Sequence, residues 1–439
     1  MSLLTTDALR AIFDRRTRIQ RMLDVEAALA RAEGSLNVIP QATVEPIEAC
    51  CNADLYDIDA IERAAWNAGN LAIPLVSALT RKVGEHDPTA RGYVHWGATS
   101  QDILDTGLVL QLRDALHSIE GEVDRLVDAL ETQVERHRGT VMAGRTWLQQ
   151  GVPVTLGLKL AEVLAAVKRD RERIAAARQR ALVLQFFGAT GTLASLGRDG
   201  VAVQAALADQ LALTVPVAPW HTLRDGLCEL ASVLGILVAT LGKLAHDIAL
   251  LMQSEVGEAA EPSAPGRGGS STMPQKRNPV GASIAIAASI RVPGLVATML
   301  RAAVQEHERG LGNWPAEWDT LPAIVECTGG AVAAMAEVVS GLDVDPVRMR
   351  ANLDQSRGQL LAEAAQMALA STVGRDVAHR LVSEAARRAL REGRHLKEVL
   401  GEDPKVREVL DRSRLDALFD PANYLGSTDT FIERALDAP

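Results

Sequence analysis

The chain is poor in aromatic residues. Phe, Trp and Tyr together make up 3% of its 439 residues, too few for the cores of sandwiches or barrels, whereas alanine and leucine abound and favour helices. Cysteine is also scarce. Cys50, Cys51, Cys228 and Cys327 show neither metal-ligand spacing nor a disulfide framework, which suits a reducing cytoplasm, and the adjacent Cys50 and Cys51 read as packing residues. There is no excess of positive charge. The net charge of -10 argues against nucleic acid as a partner, so an anionic substrate has to be drawn in by local groups. Met1 to Phe13 lacks the basic-then-apolar order of a signal peptide, and no run reaches the roughly 20 apolar residues of a membrane span without interruption. A soluble, cytoplasmic protein with no membrane partner is expected. No P-loop, dinucleotide fingerprint or metal-spaced Cys/His cluster occurs, so neither a metal nor a cofactor is expected.

What the chain does have is helical period. From Thr6 to Glu33 apolar residues recur at helical spacing, and Gly34 ends the run. A longer period starts at Thr99 or Ser100 and holds to about His137, a helix of roughly 50 Å at 1.5 Å per residue. Others are expected after Pro153 to about Leu184, from Leu227 to about Glu258, and from Pro279 to about Ala303 with a kink at Pro293. The last two are apolar on most faces, and such a helix must be covered on all sides. A long-helix bundle completed by other copies of the chain follows, with dihedral symmetry. Beyond Asp343-Val344-Asp345-Pro346 the pattern shortens, and Arg387, Arg388, Arg391, Arg394 and Lys397 cluster on what reads as a solvated face. The expected fold is all-α in three helical domains: residues 1–102, a central bundle at 103–343, and 344–439.

One loop interrupts this pattern. Pro262, Pro265, Gly266, Gly268 and Gly269 precede Ser270-Ser271-Thr272-Met273-Pro274-Gln275-Lys276-Arg277-Asn278-Pro279, a stretch no core helix tolerates. Asn278 before Pro279 reads as a helix N-cap, and free backbone N–H groups beside Lys276 and Arg277 would form an anion site. The alternative is an ordinary cap with solvated basic residues.

Residues 269 to 278 resemble the fumarase/aspartase superfamily signature G-S-S-x-M-P-x-K-x-N at all seven fixed positions. Three further stretches match in the superfamily's order: His95-Trp96-Gly97-Ala98-Thr99-Ser100-Gln101-Asp102 with Asp105-Thr106, then Gly144-Arg145-Thr146-Trp147-Leu148-Gln149, and Glu306-His307-Glu308-Arg309 continuing through Trp314, Glu317 and Trp318. The resemblance covers essentially the whole chain. It implies a homotetramer whose active sites draw on several subunits, a small polycarboxylate substrate, and catalytic roles for Ser270, Lys276 and Asn278. Substrate contacts are expected from His95, Thr99, Ser100, Thr146, Trp147, Gln149, Ser271, Met273, His307 and Arg309. For His307 and Arg309 the alternative is a structural salt bridge, for Trp147 plain packing, and for His95 and His221 a structural hydrogen bond.

The departures from the pattern carry information too. Most members place a histidine where this chain has Trp147, and a glutamate where it has Ser283; that pair usually relays a proton to the departing group. An amine or hydroxide leaving group needs such a proton, whereas a carboxylate, with a pKa near about 4, does not. One branch of the superfamily, the bacterial 3-carboxy-cis,cis-muconate cycloisomerases, fits that description and is similar in residues 95 to 106, in the tryptophan after Gly-Arg-Thr, and in the segment 314 to 318. The competing readings are an elimination lyase on a succinyl compound such as adenylosuccinate, a cycloisomerase for a sulfonated muconate, and a non-catalytic structural protein like the lens crystallins of the superfamily.

Overall fold

The structure, a computed structural model, describes residues 3–264, 266–269, 272–273 and 275–439. It is dominated by helices, with two small two-stranded sheets among the described residues. The all-α expectation holds, and the sheets are local additions to it. Five long helices run over Ser100–Arg136, Leu156–Ala181, Asp225–Leu251, Val280–Ala302 and Asn313–Ser340. Four match the periods read from the sequence. The fifth was missed, because Pro322 and the pair Gly329-Gly330 break its pattern; Pro322 sits inside the helix, as does Pro293 in Val280–Ala302.

The expected single helix from Thr6 to Glu33 is two helices, Asp7–Ile12 and Arg15–Ser35. The apolar period continues across the break, but Asp14 adopts extended backbone and its side chain accepts from the Thr17 N–H at 2.7 Å, starting a new helix there.

Two compact units emerge, and each of the five long helices contributes to both. Met1–Val123, Asp170–Leu241 and Ile284–Ala333 form the first; Asp124–Arg169, Gly242–Ser283 and Ala334–Pro439 form the second. In the first, the Arg15–Ser35 helix packs on Gly200–Leu211, and its core joins Ile19, Leu23, Leu29, Leu75, Ile103, Val203 and Leu207. In the second, the shorter helices after Pro346 close over Leu361, Leu369, Val382, Leu396, Leu400 and Phe419. Asp345 caps the first of these through the Arg348 N–H at 2.8 Å. In the basic cluster beyond it, Arg394 pairs with Glu402 at 2.6 Å and Lys397 with Asp416 at 2.7 Å at the surface.

The sequence holds no uninterrupted apolar run of membrane-spanning length, yet three helices qualify by overall length and composition. Asp225–Leu251, Val280–Ala302 and Asn313–Ser340 are long and apolar enough by length and composition. Small residues and single polar ones punctuate these runs without breaking the helices, which is why the linear sequence reads as interrupted. The first and third are largely buried within the chain. In Val280–Ala302 only 28% of the most apolar window is buried, and Ile290 and Leu300 lie open on it.

Candidate active site

In the first unit, the loop before Ser100–Arg136 and the loop carrying Arg309 meet. Asp102 organises the turn: its carboxylate accepts from the Thr99 N–H at 3.1 Å and from Phe187 and Gly188 N–H groups at 3.0 Å each. An acid three residues inside a helix, bonded back to the capping residue, fixes the direction of the incoming chain. Gly97 makes the approach possible, since its φ is +71° and a Cβ there would lie 2.7 Å from the Leu196 side chain. Arg309 then bonds Gln101 Oε1 at 3.0 Å, Ala189 O at 3.1 Å and Thr99 Oγ1 at 3.4 Å. All three acceptors are neutral. Among the described residues no carboxylate pairs with Arg309, so the salt-bridge alternative is not what the structure contains, and a half-buried guanidinium without a counter-charge stands beside the Thr99 hydroxyl. Such a cation binds carboxylate strongly.

Beneath this surface lies a buried network. The Arg224 guanidinium bonds Asp105 at 2.7 and 3.1 Å and Glu317 at 2.7 and 2.9 Å. Asp105 also accepts from Trp314 at 3.0 Å and from Gln101 and Gln185 at 3.1 Å each. Burial pushes the Asp105 carboxyl up, but Arg224 and these donors outweigh it and hold the group below its usual range. Glu317 has fewer donors, so burial dominates and raises it against the pull of Arg224. Arg224 itself stacks over Trp220 at 4.7 Å. The network fixes Gln101, and through it Arg309. His221 belongs to the same layer, buried with Nε2 3.3 Å from Asp102, which gives it the structural hydrogen bond named as its alternative. His307 is exposed, with φ +49°, and Thr222 Oγ1 donates to its carbonyl at 2.8 Å. Ser100 is partly exposed at the helix start.

In the second unit, Ser270 and Ser271 lie outside the described residues. Of the serine loop's other candidates, Met273, Lys276 and Asn278 line one cavity of about 860 Å³ together with Gln253, Asp343 and Asp345. Lys276 is exposed, with no ion-pair partner among the described residues. Asn278 does not cap the helix as expected: its side chain turns back to Gly268 O at 3.1 Å, and its N–H bonds the same carbonyl at 2.9 Å. Gly268 permits that contact, with φ +63° and only 2.6 Å between a built Cβ and Asn278 O. The helix N-terminus is capped instead by the buried carboxylate of Glu261, which accepts from the Gly281 N–H at 3.0 Å and the Ala282 N–H at 2.7 Å. The expected open anion site on these N–H groups is therefore filled from within the chain, and Arg277 is tied to Glu261 O and Asp343.

The Thr146, Trp147 and Gln149 stretch is a hairpin, Val141–Thr146 paired with Gln149–Thr155. Its two-residue loop places Trp147 at φ +52° and Leu148 at φ +62°, the geometry of a type I′ turn that is usually built from Asn and Gly. Trp147 is 98% exposed and Leu148 75%. Packing of Trp147 within its own chain is thereby ruled out. Arg145 anchors the hairpin by bidentate bonds to the buried Glu258 at 2.6 and 2.8 Å. Ser283 is exposed. Glu261, Arg224 and Glu26, which bonds His95, were not found from the sequence. No motif marks them; each is defined by what it reaches in three dimensions.

Long helices, a polar loop rich in glycine and proline, and an arginine without a carboxylate partner among the described residues, set over a buried charge network, suit a helical enzyme acting on an anionic substrate. Comparison with known proteins agrees. The family model described as Lyase matches residues 3–294, and that described as Adenylosuccinate lyase C-terminus matches residues 358–435. The chain belongs to this lyase family, the fumarase/aspartase superfamily. The 3-carboxy-cis,cis-muconate cycloisomerase of Pseudomonas aeruginosa is 54% identical over 98% of this chain and 93% of its own length. That of Bradyrhizobium diazoefficiens is 48% identical over 99% and 97%. The crystal structure of the 3-carboxy-cis,cis-muconate lactonizing enzyme from Pseudomonas putida superposes with a TM-score of 0.95 at 52% identity, covering 99% of this chain and 97% of that one.

Proposed function

We propose that the protein interconverts 3-carboxy-cis,cis-muconate and 4-carboxymuconolactone, an intramolecular lyase reaction of protocatechuate catabolism. The observation that carries this reading is the residue at the hairpin tip: a tryptophan, paired in sequence logic with Ser283, stands where the superfamily's relay would be. The relatives' names support the same substrate. In the lactonising direction, one substrate carboxylate oxygen attacks an alkene carbon and forms a C–O bond. The π pair moves onto the conjugated carboxylate, and the adjacent carbon takes up one proton, supplied in the end by water. The nucleophile is already ionised and is held beside its target, so no base is needed for it. Lys276 and Asn278 are suited to stabilising the charge that builds on the conjugated carboxylate. Ser270 delivers the proton, and Ser271, Met273, Thr146, Trp147 and Gln149 surround the substrate. Arg309, His307, Thr99, Ser100 and His95 bind its other carboxylates.

The active form is a homotetramer in which these stretches come from different subunits. The support is the apolar surface that one chain leaves open at Ile290, Leu300, Val304, Trp147 and Leu148, and light scattering that found a stable, active monomer would remove it. Burial of those residues between copies also accounts for the apolar helices without a membrane, in keeping with a cytoplasmic enzyme. The division into domains 1–102, 103–343 and 344–439 belongs to the same reading.

The match to the adenylosuccinate lyase C-terminus is the starting point for the rival reading of succinyl elimination; Trp147 and Ser283 stand against it. Ultraviolet assay of diene loss with 3-carboxy-cis,cis-muconate, run beside adenylosuccinate and fumarate, decides between them. Turnover of the muconate alone is expected, and turnover of adenylosuccinate in its place would overturn the proposal.

A further inference from the structure

Among the groups expected to bind substrate, His95 has its charge set from behind. It lies in the loop before Ser100–Arg136 with φ +60°, a conformation disfavoured for any residue with a Cβ. Its Nδ1 meets Glu26 Oε1 at 2.6 Å. Glu26 stands on the Arg15–Ser35 helix, only 2% exposed, and no other cation pairs with it among the described residues. The His95 side chain is 18% exposed, and no acceptor among the described residues meets its Nε2.

Burial and the neighbouring carboxylates act on this pair in opposite directions. Seven residues along the same helix, Glu33 is equally buried and both its oxygens lack a hydrogen-bond partner. Burial, and then the charge of Glu26, push its carboxyl up to about 9, so near neutral pH it is uncharged. The Cys51 thiol is kept protonated by burial and by Glu26. Burial disfavours a charged His95, but Glu26 by charge and hydrogen bond, with Asp102 adding its charge from the Ser100–Arg136 helix, raises the ring above its ordinary value. Arg309, on Thr99 and Gln101, is the cation of the same surface.

We propose that Glu26 is a positioning residue for His95: it fixes the proton on Nδ1 and holds the ring as an imidazolium. His95 then offers a charged Nε2–H donor to a substrate carboxylate and acts as an anion-binding group, not as a general base. This rests on the reading that His95 belongs to the substrate site of a cycloisomerase.

Two measurements test it. In wild-type protein with isotope-labelled histidine, the His95 ring resonance, assigned by its loss in His95→Gln, stands at the imidazolium position at pH 7, where an ordinary ring is mostly neutral. A neutral ring at pH 7 overturns the proposal without any assay of activity, and this test survives if a Glu26 variant fails to fold. Kinetics on 3-carboxy-cis,cis-muconate supply the second. Glu26→Gln raises KM about tenfold, the size of one lost charge-assisted hydrogen bond, with a much smaller change in kcat. Its kcat/KM starts to fall at lower pH than that of the wild type, and Glu26→Asp recovers part of the loss. His95→Gln raises KM similarly, and the double variant adds little. A raised KM in His95→Gln with wild-type behaviour in Glu26→Gln overturns the positioning role alone. An unchanged KM in His95→Gln overturns the reading that His95 is in the site.

Discussion

The two regions that carry the candidate residues are built on opposite principles. Around Asp105 and Arg224 every charge is buried and bonded, and the surface above it, with Arg309 on Gln101 and Thr99, is held in place before any ligand arrives. Around the serine loop and the hairpin tip, Lys276, Met273 and Trp147 are exposed, and the backbone takes up left-handed conformations at Gly266, Gly268, Trp147 and Leu148. The first arrangement suits recognition, because a fixed donor loses little entropy when a carboxylate binds. The second suits chemistry that needs water shut out, because exposed loops can be covered at the moment of reaction. On the proposed reading, binding and proton transfer fall to different kinds of structure, and substitutions in the two regions should fail in different ways.

The largest effect is expected in the buried region, on stability. Arg224→Met strands two buried carboxylates, Asp105 and Glu317, and breaking a buried ion pair from one side typically costs about 3–5 kcal/mol. Urea denaturation should find that loss; a change under about 1 kcal/mol would mean that the network is not holding the fold. In the exposed region the loss is catalytic. Ser270→Ala should lower kcat by on the order of 10² with little change in KM or in melting temperature, and Ser271→Ala should be milder. A Ser270→Ala enzyme at near wild-type kcat would end the serine proposal.

Much of this division was legible in the sequence and part of it was not. The serine loop announced itself, since so dense a run of glycines and prolines does not continue a helix, and the long periods marked four of the five long helices, although the one expected to reach Glu258 ends at Leu251. Arg224 was invisible. It lies in a loop between Trp220 and the Asp225–Leu251 helix, and its partners are more than ninety residues away on either side. Glu261 was missed for a related reason: Asn278-Pro279 is a sound local cap signal, but a buried carboxylate from further up the chain wins the N–H groups. Trp147-Leu148 offers no Asn-Gly signature, so its turn could not be read either. Local periodicity and turn chemistry are written in neighbouring residues; bonds between distant charges are not.

A smaller effect sharpens the comparison from within the buried region. Glu33 has its carboxyl raised from 4.5 to about 9, by burial first and Glu26 second. The folded state therefore holds a proton that the unfolded state loses above about pH 4.5, so the contribution of this group to stability is fully present below that pH and declines as pH rises toward 9. Glu33→Gln removes the decline. Its stability relative to wild type should climb between pH 5 and 8, by at most about 1.4 kcal/mol per pH unit. A gap between the two that stayed constant with pH would show Glu33 to be ionised in both states.

The central claim is that the exposed region lacks a relay because a carboxylate needs none. The most direct test is the kcat of the Trp147→His, Ser283→Glu double variant on 3-carboxy-cis,cis-muconate. The carboxylate nucleophile has no proton for the restored pair to manage, and the new glutamate places negative charge near a polyanionic substrate, so kcat should be unchanged or reduced. A double variant that lactonises faster than wild type would contradict the account.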